Sequence, residues 1–190
     1  MKTEVEAFLL NLPNLITLGR LLCVPVAIWL VLADEVAAAF WLFVAAGLSD
    51  AVDGFVAKRF DQRSQLGALL DPVADKALLV SMYVTLGATN HLPTWIVILV
   101  VFRDVLIIGG YLLVATLTQP MRWEPLYVSK LNTALQIALV ALVLAQLGLD
   151  LGGSGLRDIL LYGVAATTVI SGAGYLVRWG RALAGIEADS

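Results

Sequence analysis

Four aspartates dominate the chemistry available to this chain. Asp50 and Asp53 stand three residues apart and Asp71 and Asp75 four apart, and on a helix both intervals return to the same face. Gly54 and Ala57 extend the first stripe to i, i+4 and i+7, and Gly67 leads the second at steps of four through Asp71 to Asp75. Two carboxylates on each of two neighbouring helices can converge on one point. Uncompensated, they would repel one another and lose hydration at large cost. A pair of hard divalent cations, Mg²⁺ or Mn²⁺, resolves both problems, because such ions take oxygen ligands and keep positions open for phosphate oxygens. Two of them about 4 Å apart can hold the attacking and leaving groups of a displacement at phosphorus. Gly54, Ala57 and Gly67 leave room on the same faces for a ligand to lie against the backbone. The spacing points to metal-assisted phosphoryl chemistry.

A plainer reading pairs these aspartates with Lys58, Arg59, Arg63 and Lys76 as a solvated cluster at helix ends. The 59–65 loop fits that description in part. Asp50 and Asp75, however, lie toward long apolar runs, where an ionisable group is a functional hypothesis by default.

Those runs are the elements that must position the aspartates. The chain has 190 residues, 60% hydrophobic and 14% charged, whereas soluble domains carry about a quarter charged residues. Lipid is therefore the expected solvent. Six segments offer the roughly 20 apolar residues that a membrane-spanning helix needs: Leu15–Ala33, Val36–Lys58, Leu66–Thr89, Pro93–Thr118, Lys130–Leu149 and Leu156–Trp179. A short amphipathic stretch before Pro13 is expected to lie at the interface. The expected architecture is thus an all-α integral membrane protein with six transmembrane helices preceded by an interfacial helix, forming a single domain over residues 1–190. Glu4 and Glu6 beside Lys2 do not suit a targeting peptide. Basic residues gather at one set of helix ends (Lys2, Lys58, Arg59, Arg63, Arg122, Lys130, Arg178, Arg181), while Arg157 alone marks the other. That asymmetry places both termini and the aspartates on the cytoplasmic side. A net charge of −3 and the lone Cys23 give no footprint for nucleic acid, no internal disulfide and no cysteine-based metal site.

As a pattern, Asp50-x2-Asp53-Gly54-x2-Ala57, a basic position, eight residues, then Gly67-x3-Asp71-x3-Asp75 resembles the signature of the CDP-alcohol phosphatidyltransferase family. Lys58 departs from it, since an arginine usually follows the alanine, and lysine lacks the bidentate fork. The resemblance implies six transmembrane helices, a homodimer in a lipid bilayer, residence in a bacterial cytoplasmic membrane, and two divalent cations held by Asp50, Asp53, Asp71 and Asp75. It implies a CDP-lipid donor, CDP-diacylglycerol, bound around Asn14, Thr17, Asp50, Asp53, Gly54, Ala57, Lys58 and Gly67. It further implies that Asp75 is the general base that deprotonates the acceptor hydroxyl, after which CMP leaves.

The rest of the chain bears on the acceptor. "FRDVLIIGG" at 102–110 and "YVSKLNTALQ" at 127–136 resemble the branch whose acceptor is phosphatidylglycerol and whose product is cardiolipin. Members using glycerol 3-phosphate usually carry a further lysine where Asn132 stands and a second arginine beyond Arg103. A phosphodiester carries one negative charge, which Arg103 and Lys130 can meet; Arg103, Lys130 and Asn132 are therefore the acceptor-phosphate candidates. Against this, Arg103 could simply pair with Asp104, although neighbours on a helix point in different directions, and Lys130 could be a snorkelling helix-end lysine. Arg20 is expected to snorkel to headgroups, with a hold on the acceptor as the alternative, His91 to be polar loop surface, and the sixth helix to contribute nothing specific. Two other classes compete. Prenyltransferases also bind Mg²⁺-pyrophosphate with aspartates, but on motifs far apart in sequence, and an ion carrier would place its carboxylates near the midplane.

Overall fold

The computed structural model describes the backbone of residues 12–60, 65–117, 126–153 and 155–183, and the side chains of 18–49, 76–110, 126–153 and 155–181. Among the described residues the chain is all-helical: α1 (Leu12–Leu32), α2 (Val36–Phe60), α3 (Gln65–Ala88), α4 (Thr94–Leu117), α5 (Tyr127–Gly148) and α6 (Gly155–Leu183). These six follow the six apolar segments of the sequence, differing by a few residues at the ends. The expected amphipathic stretch before Pro13 lies outside the described residues. Pro13 itself is the second residue of α1, a first-turn position where its missing N–H removes no helical bond.

The connections explain where helices stop. α1 ends with Asp34 at φ 64° and α3 with Asn90 at φ 60°. In the first turn Asp34 N donates to Val31 O and Glu35 N to Leu30 O; in the second, Asn90 N donates to Gly87 O and His91 N to Leu86 O. Both are the paired bonds of a Schellman cap, which satisfies the orphan carbonyls of a helix end. α6 carries Asp158 in its first turn and Arg181 in its last, each complementing the helix dipole.

The chain forms two compact units, one of Met1–His91 with Val140–Gly152, the other of Leu92–Leu139 with Gly153–Ser190. In the first, α1 packs on both α2 and α3. Its core is Ala27 and Val31 of α1, Ala39 and Phe43 of α2, Met82, Tyr83 and Leu86 of α3, and Val143 and Leu144 from the end of α5. Gly148 is needed there: a Cβ on it would stand 2.6 Å from the backbone N and Cα of Ala37. In the second unit α4 packs on α6, with Ile96 and Val100 facing inward on α4 and Leu161, Val164, Tyr175 and Trp179 on α6. The Trp179 ring lies on the backbone of Gly110, where an added Cβ would come within 2.2 Å of it.

α5 and α6 (the latter over Gly155–Arg181) are long and apolar enough to cross a membrane, and only 39% and 28% of their apolar windows are buried. A core helix of a soluble protein would be mostly covered. Large apolar side chains stand exposed on α1, α2, α4 and α6 as well, among them Trp29, Trp41, Phe102, Val105, Ile159 and Tyr162. Surfaces of that kind suit contact with lipid.

Candidate active site

The aspartates occupy consecutive helices joined end to end. Asp50 and Asp53 lie in the last three turns of α2, which ends at Phe60, and Asp71 and Asp75 lie in the first three turns of α3, which begins at Gln65. Helical backbone through both stretches gives the three- and four-residue spacings the shared faces that the sequence predicts. Gly54, Ala57 and Lys58 belong to α2, Gly67 to α3, and Asn14 and Thr17 to α1. The side chains of all ten of these residues lie outside those described. Among the described residues no group of three or more His, Cys, Asp or Glu could hold a metal ion.

Arg20, in the same unit, is 6% exposed, so it does not snorkel to a water-facing position as expected. Further along α3, Ser81 and Thr85, and Thr89 just past its end, turn their hydroxyls back onto the carbonyls four residues earlier. That use of their protons leaves them little for a ligand. His91 lines a surface depression with Asp34 and Glu35, in keeping with a polar loop position.

The second unit holds a polar seam inside an apolar helix cluster. Arg103 of α4 is 4% exposed. Its Nη1 donates to Asp104 Oδ1 at 2.7 Å, and its Nη2 donates to Ser129 Oγ of α5 at 2.5 Å and to Ser171 Oγ of α6 at 2.6 Å. The ion pair with Asp104 therefore forms, contrary to the expectation that adjacent residues diverge. Both residues are buried away from water, and the guanidinium is long enough to curl back to its neighbour. Gly172 packs beside that stem, where an added Cβ would stand at an ordinary contact distance of 3.8 Å from Arg103 Cγ. One turn along α5, Asn132 is fully buried and its Oδ1 accepts from Thr167 Oγ1 at 2.8 Å and Thr168 Oγ1 at 2.9 Å, both on α6. Asn132 Nδ2 and Arg103 Nε are buried without hydrogen-bond partners among the described residues.

The structure thus gathers Arg103 and Asn132 into one seam and leaves Lys130 out of it. Lys130 is exposed, with its Nζ 5.5 Å from the Tyr127 ring centroid, as a snorkelling lysine would be. Sequence reasoning named Asp104 as a possible partner but set it behind anion binding, and it missed α6 entirely. The available signal was Thr167, Thr168 and Ser171, hydroxyls at i, i+1 and i+4 within the uncharged middle of the helix, residues 159–177.

A helix-borne aspartate signature in an apolar all-α chain defines a class, and comparison with known proteins agrees: residues 10–170 match the model of the CDP-alcohol phosphatidyltransferase family. The chain belongs to that family. It is 35% identical over 182 residues to a cardiolipin synthase (CMP-forming)/mitochondrial hydrolase fusion protein of Schizosaccharomyces pombe, covering 88% of this chain and 31% of that protein. It is 34% identical over 181 residues to cardiolipin synthase (CMP-forming) of Rattus norvegicus, covering 87% and 60%. To chloroplastic CDP-diacylglycerol–glycerol-3-phosphate 3-phosphatidyltransferase 1 of Oryza sativa it is 32% identical over 190 residues, covering 90% and 57%. The chain therefore spans between 31% and 60% of these relatives' lengths.

Proposed function

We propose that this chain is a CMP-forming cardiolipin synthase, transferring a phosphatidyl group from CDP-diacylglycerol to phosphatidylglycerol. The observation that carries the reading is the register of Asp50, Asp53, Asp71 and Asp75 on two helices joined end to end, in a chain whose relatives include proteins named for that reaction. We place it as a six-span, homodimeric single-domain protein of a cytoplasmic membrane, with the aspartates on the cytoplasmic face. The match over residues 10–170 runs through both units, which supports treating them as one domain.

Four carboxylates form a hard oxygen donor set that suits Mg²⁺ or Mn²⁺. Bound there, two such ions would supply positive charge at the transferring phosphorus. Asn14, Thr17, Gly54, Ala57, Lys58 and Gly67 line the CDP-lipid side in this reading. Asp75 takes the proton of the acceptor hydroxyl; the oxygen bonds to the phosphorus that carries diacylglycerol, and the bond from that phosphorus to CMP breaks. Arg103 and Asn132 bind the acceptor's phosphodiester, and the buried, uncommitted Nε and Nδ2 support that role because each lacks an acceptor. Lys130, exposed beside Tyr127, makes at most a peripheral contribution. The rice relative's name keeps glycerol 3-phosphate as the second acceptor to consider.

The test is CMP release by the purified chain with CDP-diacylglycerol and Mg²⁺ or Mn²⁺. Release with phosphatidylglycerol and not with glycerol 3-phosphate is expected. Release with glycerol 3-phosphate alone would overturn the acceptor reading and keep the mechanism.

A further inference from the structure

We propose that α6 is the positioning element of the acceptor site, with Thr168 and Ser171 as its positioning residues. This rests on the acceptor reading above and gives a role to a helix that the sequence left without one.

Thr168 and Ser171 are three apart on α6 and both buried, at 1% and 0% exposure, so they share an inward face. Each reaches a different helix: Thr168 Oγ1 lies 2.9 Å from Asn132 Oδ1 on α5, and Ser171 Oγ lies 2.6 Å from Arg103 Nη2 on α4. A single turn of α6 thereby sets the direction of both candidate acceptor-binding side chains. Asn132 is pinned at its carbonyl end by Thr168 and Thr167, which leaves Nδ2 uncommitted. Both threonine hydroxyls donate to Oδ1 in this orientation, and it is this orientation that puts a donor at the open end; turned over, the amide would present an acceptor there. Arg103 is tied down through Nη1 and Nη2, which leaves Nε uncommitted.

Two buried donors without acceptors are costly unless a ligand supplies the missing oxygens. The ligand class follows from the charges. Asp104 already offsets the charge of Arg103 at 2.7 Å, so the seam is neutral overall and offers a ligand N–H donors rather than net charge, which penalises a dianion more heavily than a singly charged phosphodiester. Hydroxyls on a helix packed behind the site are the means by which a buried amide and guanidinium keep one orientation between turnovers.

The test uses the full chain in mixed micelles, with CDP-diacylglycerol as donor and phosphatidylglycerol as acceptor. Thr168→Val keeps the side-chain shape and removes the hydroxyl. The expected result is a rise of about 10-fold in KM for phosphatidylglycerol, the loss of one positioned hydrogen bond. KM for the donor and kcat at saturating acceptor should stay within about 2-fold, and Thr168→Ser should restore the acceptor KM. Ser171→Ala makes the same comparison through Arg103 and serves if Thr168→Val does not fold. An unchanged acceptor KM, or a parallel loss in kcat and both KM values, would overturn the proposal. Wild-type release of CMP with glycerol 3-phosphate alone would overturn the acceptor reading instead, and the α6 role would then be decided by the same KM comparison on that acceptor. Release with neither would overturn both.

Discussion

Arg103 Nη1 and Asp104 Oδ1, side chains of consecutive residues on one helix, meet at 2.7 Å with both residues at 5% exposure or less. Successive residues on a helix are about 100° apart, so the pair closes only because the guanidinium bends round toward the carboxylate while Ser129 and Ser171 hold its other edge. The result is a local ion pair set into an apolar cluster and tied to two further helices.

Breaking that pair from one side should be worse than removing it. Asp104→Leu leaves a buried guanidinium without its counter-charge and should lower stability by about 3–5 kcal/mol. The double variant Arg103→Met/Asp104→Leu should recover most of the loss while remaining unable to use phosphatidylglycerol. Thermal unfolding in detergent alongside CMP release measures both. A double variant as unstable as the single one would contradict the argument.

Two glycines should respond differently to one added methyl. Gly110→Ala meets the Trp179 ring and Gly148→Ala meets the backbone of Ala37; overpacking of this kind costs about 1–3 kcal/mol. Trp179→Leu should rescue Gly110→Ala, because a side chain can be shortened. No single side-chain change should rescue Gly148→Ala, because its obstacle is main chain. Gly180, with nothing within 4 Å of an added Cβ, is the control, and Gly180→Ala should be neutral or stabilising by up to about 1 kcal/mol.

The turn after α3 gives a third case. Asn90 sits at φ 60°, where glycine bears no steric penalty and a β-branched residue bears the most. Asn90→Gly should hold or raise stability by a few tenths of a kcal/mol, and Asn90→Val should lose about 1–2 kcal/mol. Melting midpoints in one detergent decide it, and a destabilised Asn90→Gly would show that the asparagine side chain matters more than its backbone angle.

At the proposed catalytic centre, Asp75→Asn should abolish transfer while the protein still binds CDP-diacylglycerol, as read by retention of the labelled donor. Turnover in that variant would remove Asp75 as the base. Asp71→Asn should weaken activity and raise the Mg²⁺ or Mn²⁺ concentration needed for half-maximal rate. An unchanged metal requirement would count against the two-cation site.

Much of this was legible in the chain itself, and the reasons are physical. Apolar runs of 20 residues or so read as helices because little else satisfies their backbones in lipid, and α1 to α6 follow those runs. The aspartate register on α2 and α3 was equally accessible, since spacing on a helix determines shared faces. What escaped was long-range. Nothing within the local run "FRDV" says that Arg103 will find Ser171, nor does "ATTVIS" say that its hydroxyls will hold Asn132. Arg20 misled for a related reason: a cation near a helix end can reach water or turn inward, and only packing chooses between them.

The hydrogen bonds also differ in how much chain they wait for. The turn from α1 to α2 is closed by bonds such as Glu35 N to Leu30 O, available as soon as that stretch has been made. Ser171 reaches back 68 positions to Arg103, and Thr168 reaches back 36 to Asn132. During synthesis, then, the first hairpin can close early, while α4 and α5 carry an unfinished polar face until the last helix arrives. The bonds of the seam therefore form only once α6 has been made, so α4, α5 and α6 settle together and later than the first hairpin.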